Sequence, residues 1–288
     1  MQLELGTRLS LTRFLSIPEV RARFRKEFRV PPTRFTGDIL APPVTRNFGM
    51  VGTAFDYLLR FYLERLNQNC MKQTWVAEDA VMLIHYRSDL FKQIEQKADE
   101  LLANAKNAYA SYMKDGTMKD ALIKSTISLA QLDTIFRSGI VDSHFGDADD
   151  GDLADLRKLI EIVPSEQFKA HNVCVLNPTF GVGSELVGGA DADLLVDDLL
   201  LDVKTTKEAS LSQEYYNQLI GYYILWKLSG TIGSLREHPI SSLGIYFSRH
   251  ARAYTFPINY VEENANFAEF INWFKERATK EYPSKDLE

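Results

Sequence analysis

The chain has 288 residues, of which 45% are apolar and 25% charged, so it is neither disordered nor collagen-like. Its longest apolar runs fall far short of the roughly 18 residues that cross a bilayer, and no hydrophobic leader is visible. It has two cysteines, too few for a disulfide framework or an iron–sulfur site, so we expect a soluble, cytoplasmic protein with reduced thiols and no membrane partner.

The net charge of −6 is unevenly distributed, because residues 1–66 hold 11 Lys and Arg against 6 Asp and Glu. The densest basic cluster comprises Arg21, Arg23, Arg25, Lys26 and Arg29. An acidic chain can bind nucleic acid only through such local basic patches. A solvated helix face explains the cluster equally well, so the sequence leaves its role open.

The first half of the chain is predicted to be helical. Apolar residues recur with helical spacing over 10–29, 50–67, 75–113, 118–136 and a short segment that ends near residue 162. Beyond Pro164 the predicted strands are Val173–Leu176, a hairpin over Asp193–Lys204, Leu243–Phe247 and Ala253–Ile258, and the predicted helices cover 212–228 and 263–278. A helical first half and a mixed second half indicate an α/β core with a large helical insertion or extension.

The segment from Asp191 to Lys204 predicts a hairpin with a charged face. The pair Asp197–Asp198 separates two apolar runs and suits a two-residue turn. Counting outward from this turn places Asp193 opposite Asp202. Because side chains alternate along a strand, all three remaining aspartates of the segment and its lysine then project from one face of the sheet.

Carboxylates that face one another across a β-ladder repel, and one lysine compensates only part of that repulsion. A hard cation, Mg²⁺ or Mn²⁺, would explain the cluster, because such ions bind carboxylate oxygens. The main-chain carbonyl of Val203 could supply a further ligand, and Lys204 could stabilise the charge that builds on a phosphate under attack. The alternative is an exposed hairpin edge that carries acids, as edge strands often do.

The arrangement of Asp193 followed by Asp202-x-Lys204 resembles motifs II and III of the PD-(D/E)xK nuclease superfamily. In that superfamily an Asp on one strand and Asp/Glu-x-Lys on the next hold catalytic metal. Gln218 and Tyr222, which share one face of the next predicted helix, are similar to the Gln-x-x-x-Tyr motif of the RecB-like branch, which includes lambda-type exonucleases. The resemblance implies that the two aspartates bind metal, that the lysine orients or deprotonates the attacking water, and that the glutamine and tyrosine position substrate and lysine.

The RecB-like branch often has an upstream helix with Gly-x-x-x-His-x-x-x-Glu, whose His or acid completes the metal site. The best match starts at Gly52 and puts Asp56 at the His position, Arg60 at the Glu position and Glu64 one turn later. Asp56 is therefore favoured over Glu64 as a metal ligand, and Asp191 is a reserve ligand. The alternative interpretation of this helix is a ladder of mutually neutralising ion pairs.

The resemblance implies an α/β fold with a restriction-endonuclease-like core, in which helices flank a mixed central β-sheet. The expected divisions are an N-terminal helical extension over 1–49, a nuclease core over 50–67 and 165–288, and an inserted helical subdomain over 68–164. Because the chain has only two cysteines, the iron–sulfur variety of this branch is excluded.

The implied function is Mg²⁺- or Mn²⁺-dependent hydrolysis of DNA phosphodiester bonds, exonuclease-like, in recombination, phage biology or antiphage defence. A catalytically silent DNA-binding or scaffold subunit of a larger complex is the second hypothesis, motivated by Arg60 and the overall acidity. The sequence does not separate DNA from RNA as substrate, and either hypothesis allows a homo-oligomer or a partner protein. Arg249, His250 and Arg252 either contact the DNA backbone or face solvent.

Overall fold

The structure is a computed structural model that describes residues 10–31, 37–264 and 266–283. The strands are β1 (Met71–Lys72), β2 (Cys174–Leu176), β3 (Leu194–Val196), β4 (Leu199–Lys204), β5 (Thr231–Ile232), β6 (Leu235–Arg236), β7 (Ser242–Phe247) and β8 (Arg252–Pro257). The helices are α1 (Leu11–Ser16), α2 (Pro18–Glu27), α3 (Phe48–Leu66), α4 (Val76–Tyr86), α5 (Ser88–Phe91), α6 (Glu95–Asp115), α7 (Asp120–Ser138), α8 (Asp150–Glu161), α9 (Val182–Leu186), α10 (Gln213–Ser229), α11 (Asn259–Glu262) and α12 (Phe267–Glu281).

Six of the strands form one mixed sheet in the order β1-β2-β3-β4-β7-β8. The pairs β1–β2 and β4–β7 are parallel, and the pairs β2–β3, β3–β4 and β7–β8 are antiparallel. Strands β5 and β6 form a separate two-stranded hairpin. The chain is therefore an α/β protein with a mixed sheet, as the sequence predicts at this coarser level.

The hairpin register counted from the sequence is confirmed for the three pairs next to the turn, whereas Asp193 and Asp202 lie beyond the end of the ladder. Leu194, Leu195 and Val196 pair with Leu201, Leu200 and Leu199, respectively. The turn places Asp197 at φ +51°, in the left-handed region that Asp adopts more readily than most residues. Its carboxylate accepts backbone N–H bonds of 2.7–3.0 Å from the three residues 171–173, so the turn is fastened to the chain that leads into β2.

Different helices cover the two faces of the sheet. Helices α3–α8 pack on one face, in a core that includes Leu201 and Tyr246. Helices α1, α2, α9, α10 and α12 pack on the other, in a core that includes Leu200 and Ile245. Because side chains alternate along β4, Asp202 and Lys204 project from the same face as Leu200, the face that α10 covers.

The helical predictions agree with the structure except for two predicted helices that are interrupted. The predicted helix over 50–67 is α3, and α7, α8, α10 and α12 match the other single helices. The segment 10–29 is divided between α1 and α2, because Ile17 precedes Pro18 and is held away from the helical conformation. The segment 75–113 divides into α4, α5 and α6. Within the described ranges no helix combines the length and the apolar character needed to cross a membrane.

Helices from the expected insertion pack into the same hydrophobic core as residues of the expected nuclease domain. Helices α4–α8 bury their apolar side chains together with α3 and one face of the sheet, and β1 itself is an edge strand of that sheet. The division of the chain into extension, core and insertion stays a prediction.

Cys70 and Cys174 are paired as a disulfide, which corrects the expectation of two reduced thiols. The two residues are 104 positions apart in sequence. They meet because Cys70 directly precedes β1, Cys174 begins β2, and these two strands pair.

Arg249, in a short 3-10 turn after β7, is completely buried rather than exposed to DNA or solvent, and that prediction is wrong. Its Nη1 and Nη2 donate to Oδ1 and Oδ2 of Asp155 in α8, at 2.7 and 3.0 Å. Nη1 also donates to the carbonyl of Ala41 at 3.0 Å. This buried pair joins α8 and the loop before α3 to the β7–β8 corner. His250 also faces the protein, with Nε2 2.9 Å from the carbonyl of Lys207.

We expect Asp155→Ala to lower the free energy of unfolding by about 3–5 kcal/mol, because it leaves the buried Arg249 guanidinium without its counter-ion. Urea unfolding followed by circular dichroism measures the change. The control is Asp120→Ala, which removes the exposed Asp120–Arg157 pair and should cost less than about 1 kcal/mol. Equal losses in the two variants would contradict a structural role for the buried pair.

Candidate active site

The charged residues predicted from the sequence lie at the end of β4, where β3 no longer pairs with it. The β3–β4 ladder ends at the pair Leu194–Leu201, so the backbone of Val203 has no β3 partner. The carboxylate of Asp193 takes that place, and its Oδ2 accepts the N–H of Val203 at 2.5 Å. The carbonyl of Val203 points to the same open edge, because both polar groups of a strand residue face one neighbour.

Asp202 is the most buried acid of the site, with 2% of its surface exposed. Lys204 Nζ lies 2.7 Å from its Oδ2 and forms an ion pair with it. Among the residues that the structure describes, no other group donates a hydrogen bond to this buried oxygen. Asp56 and Asp191 also act electrostatically on Asp202 and raise its pKa, so four carboxylates meet in one region.

Burial and mutual repulsion make it unfavourable for all the acids of the site to be ionised at once. Burial raises the pKa of Asp193 well above the usual aspartate range, and the carboxylates of Asp202 and Asp56 raise it further. Burial also raises the pKa of Asp202, against the opposing effect of the Lys204 ammonium. Burial alone would lower the pKa of Lys204, but Asp202 and Asp193 outweigh it and the pKa is raised. Lys204 is therefore a firmly protonated cation among incompletely neutralised acids.

A chain of hydrogen bonds from α10 orients Lys204. Its Nζ donates to Oε1 of Gln218 at 3.1 Å, and Gln218 Nε2 donates to the hydroxyl of Tyr222 at 2.7 Å. Nζ also lies 4.9 Å from the centre of the Tyr215 ring, within the range of a cation–π contact. The i, i+4 spacing of Gln218 and Tyr222 on one helix face makes this chain possible.

The upstream helix α3 brings one of its two candidate acids to the site. Asp56 interacts electrostatically with Asp193 and Asp202, and its Oδ2 accepts from Arg60 Nη2 at 2.7 Å. Glu64, two turns later, points elsewhere and bonds to Lys72 at 2.5 Å and to Tyr109 at 2.7 Å. Of the ion-pair ladder considered for this helix, the Asp56–Arg60 pair is therefore formed, and Glu64 is paired with Lys72 in place of Arg60.

Sequence reasoning missed the part of α7 that lies behind Asp56. The hydroxyl of Tyr57 lies 3.4 Å from Oδ2 of Asp133, and Asp133 is also ion-paired with Arg137. Arg137 interacts in turn with Asp191, and Arg60 stacks over the Tyr57 ring at 4.4 Å. The i, i+4 spacing of Asp133 and Arg137 was the available signal, but the predicted helix ended at residue 136.

The carboxylates of the site and the Val203 carbonyl are donor types that hard divalent cations bind. Within the described residues, no three Asp, Glu, His or Cys side chains converge as metal ligands. Asp193 is bonded to the N–H of Val203, and Asp56 to Arg60. Nevertheless, the acids of the site are incompletely neutralised, which a bound cation would relieve. The groups available to hold it are the side chains of Asp193, Asp202 and Asp56 and the carbonyl of Val203, with Asp191 in reserve.

Comparison with protein-family models, with curated proteins and with solved structures finds no match for this chain. The function is therefore argued from the chemistry of the site. This chemistry comprises acids that can bind a cation, an ammonium group beside them, and an amide–phenol pair that fixes the direction of the ammonium.

We expect Asp193→Asn to increase the free energy of unfolding at pH 7 in EDTA. An aspartate ionises near pH 4 in the unfolded chain but at a higher pH in the folded one. The wild type therefore loses stability as the pH rises from about 4 through the folded-state pKa, and the amide avoids this loss. Over that interval the loss grows by about 1.4 kcal/mol per pH unit, so we expect a gain that increases with pH and vanishes towards pH 4.

Urea unfolding between pH 4 and pH 8 measures this effect. Asp38→Asn is the control, because it makes the same change at an exposed carboxylate. A variant that is less stable than the wild type at pH 7 and equally so at pH 4 would contradict the electrostatic account of the cluster.

Proposed function

We propose that this chain is a metal-dependent deoxyribonuclease that hydrolyses DNA phosphodiester bonds with Mg²⁺ or Mn²⁺. The observation that carries the proposal is the buried Asp202–Lys204 pair beside Asp193, with Lys204 oriented by Gln218. The order of these residues along the chain is that of the PD-(D/E)xK nucleases that the sequence resembles. Exonuclease-like action and a role in recombination, phage biology or antiphage defence belong to the same proposal through that resemblance. The cytoplasmic location expected from the sequence is also proposed, without the support of reduced thiols, because Cys70 and Cys174 form a disulfide.

The acids of the site would hold the cation. Asp193, Asp202, Asp56 and the Val203 carbonyl would hold a divalent ion, which would supply Lewis-acid stabilisation of the charge on the reacting phosphate. Asp193 already accepts the Val203 N–H through one oxygen, so its other oxygen is the one that remains for a ligand. Asp56 would have to exchange its bond to Arg60 for the ion.

Lys204 acts as a fixed cation in this proposal. Its raised pKa keeps it protonated at neutral pH, which suits charge stabilisation and the orientation of water better than removal of a proton. Gln218 accepts from Lys204 with its oxygen and donates to Tyr222 with its nitrogen, so both ends of the amide are fixed. The pair thus aims the ammonium without adding a charge.

The second candidate is a DNA-binding or scaffold subunit that does not cleave. The observation that favours it is the 2.7 Å Asp56–Arg60 ion pair, which occupies an acid that the nuclease needs as a ligand. It predicts DNA binding without cleavage in any divalent ion.

Cleavage of end-labelled linear and closed circular DNA, single- and double-stranded, separates the two candidates. The reactions contain Mg²⁺, Mn²⁺ or EDTA, with a matched RNA strand as a further substrate. Loss of linear DNA alone that EDTA abolishes supports an exonuclease, and nicking of the circle supports an endonuclease. DNA binding without cleavage under every condition would overturn the nuclease and leave the subunit.

We expect Lys204→Met to lower the cleavage rate by about 10²- to 10³-fold, the usual cost of removing a group that stabilises charge in the transition state. The matched control is Lys227→Met on α10. Lys227 is also 2.7 Å from a carboxylate, that of Glu262, and also lies over a tyrosine ring. Circular dichroism and urea unfolding check that both variants are folded. Full metal-dependent activity in Lys204→Met would contradict the mechanism.

We expect Asp56→Asn to weaken the stabilisation of the protein by Mg²⁺ and Glu64→Gln to leave it intact. Both acids lie on α3, but only Asp56 reaches the other carboxylates, since Glu64 is bonded to Lys72 and Tyr109. Mg²⁺ at 100 times its dissociation constant should stabilise the folded chain by about 2.7 kcal/mol. Thermal unfolding across a Mg²⁺ titration measures this, and a loss confined to Glu64→Gln would contradict the assignment.

A further inference from the structure

Four basic side chains of α2 and the residues just after it are exposed. The helix is anchored by Val20, Phe24 and Phe28, and the two phenylalanines pack edge-on against Phe270 of α12. Arg23 is also structural, because it is paired with Glu27 at 3.1 Å and lies over the ring of Trp273. The remaining cations of the cluster are Arg21, Arg25, Lys26 and Arg29, here called the α2 basic face.

The α2 basic face is exposed, and the described part of the chain gives none of its four members an ion-pair or hydrogen-bond partner. Arg21 and Arg25, at i and i+4, lie side by side on the helix, where like charges repel. In a chain with a net charge of −6, this concentration of unpaired positive charge is a local exception that a bound anion would relieve.

We propose that the α2 basic face binds the phosphate backbone of duplex DNA beside the candidate active site. This inference rests on the proposed function, which supplies DNA as the substrate. At 1.5 Å per residue, the five residue steps from Arg21 to Lys26 span about 7.5 Å of helix, and Arg29 lies two residues beyond the end of the helix. Successive phosphates of one strand advance about 3.4 Å along the duplex axis, so the helical part of the face matches about three phosphates and Arg29 can contact a fourth.

The end of α2 is attached to the helix that carries Gln218. Gln213, the first residue of α10, donates from Nε2 to the carbonyl of Phe28 at 3.0 Å. Gln218 follows five residues later, about 7.5 Å along the same helix axis. Arg29, next to Phe28, thus lies within a few nucleotides' reach of Lys204, and DNA held by the α2 basic face can extend to the acids.

The residue types favour DNA over an anionic membrane surface. Three of the four cations are arginines, which form paired hydrogen bonds to phosphate oxygens. A helix that binds a membrane surface must present apolar side chains to it. In α2 and its C-terminal end, Val20, Phe24 and Phe28 are buried inside the protein, so the helix offers charge alone.

The test replaces all four residues with glutamine and measures the binding of a 30-base-pair duplex in EDTA across a series of salt concentrations. Each lost phosphate contact should make the slope of log K against log salt less negative by about 0.9, hence by about 3–4 in total. The matched control replaces four exposed lysines on the opposite helical layer, Lys92, Lys114, Lys124 and Lys158, with glutamine, and its slope should change by less than about 1. Thermal unfolding confirms that both variants are folded.

Binding and cleavage are scored separately, so that this inference and the nuclease proposal fail independently. A wild type that binds DNA through the α2 basic face but never cleaves it would overturn the nuclease and support this inference. A wild type that cleaves DNA, with an unchanged salt slope in the α2 variant, would overturn this inference alone. Equal changes in the α2 and control variants, no binding of duplex DNA, or α2-dependent binding of phosphatidylserine vesicles in place of DNA would also overturn it.

Discussion

The burial of several carboxylates at the end of β4 is the constraint on which the rest of the structure depends. Asp193 and Asp202 are brought together by the hairpin register, and Asp56 adds a third charge from α3. Ionised acids in such a place are unfavourable unless cations lie near them. Those cations come from β4, α3 and α7, as Lys204, Arg60 and Arg137, so the cluster is tolerable only when all three elements are in place.

The apolar layers explain why these elements meet at one point. Helices α3 and α10 belong to separate cores on opposite faces of the sheet. A side chain of α3 can therefore approach side chains on the α10 face only at an open edge of the sheet. The end of β4 is such a place, because β3 is short and leaves its edge open. On the α3 side, the buried Arg249–Asp155 pair fastens α8 to the corner between β7 and β8, and the Tyr57–Asp133 contact joins α7 to α3. The helical layer that contains α3, α7 and α8 therefore helps to hold Asp56 in position at the site.

The sequence predicts those features that depend on local rules. Alternation along two strands and a two-residue turn were enough to place Asp193, Asp202 and Lys204 on one face, because the Asp197–Asp198 turn fixes which residues of the two strands face each other. Arg249 was misjudged because arginines are usually exposed and its partner lies 94 residues away. The Cys70–Cys174 pair and the Glu64–Lys72 bond likewise depend on β1, a two-residue strand too short to leave a pattern. Non-local partners thus account for the errors at and around the site.

Two ion pairs in this chain have the same 2.7 Å length and opposite consequences. In the Arg249–Asp155 pair the side chains are 0% and 1% exposed, so neither group can leave without abandoning a charge in the interior. In the Arg60–Asp56 pair the Asp56 side chain is 26% exposed and the Arg60 side chain 9%, so water reaches the carboxylate of this pair. Arg60 also rests on the Tyr57 ring, which supports its charge while the carboxylate changes partner. The first pair is therefore structural, and under the proposed function the second is the one that a divalent ion would have to displace.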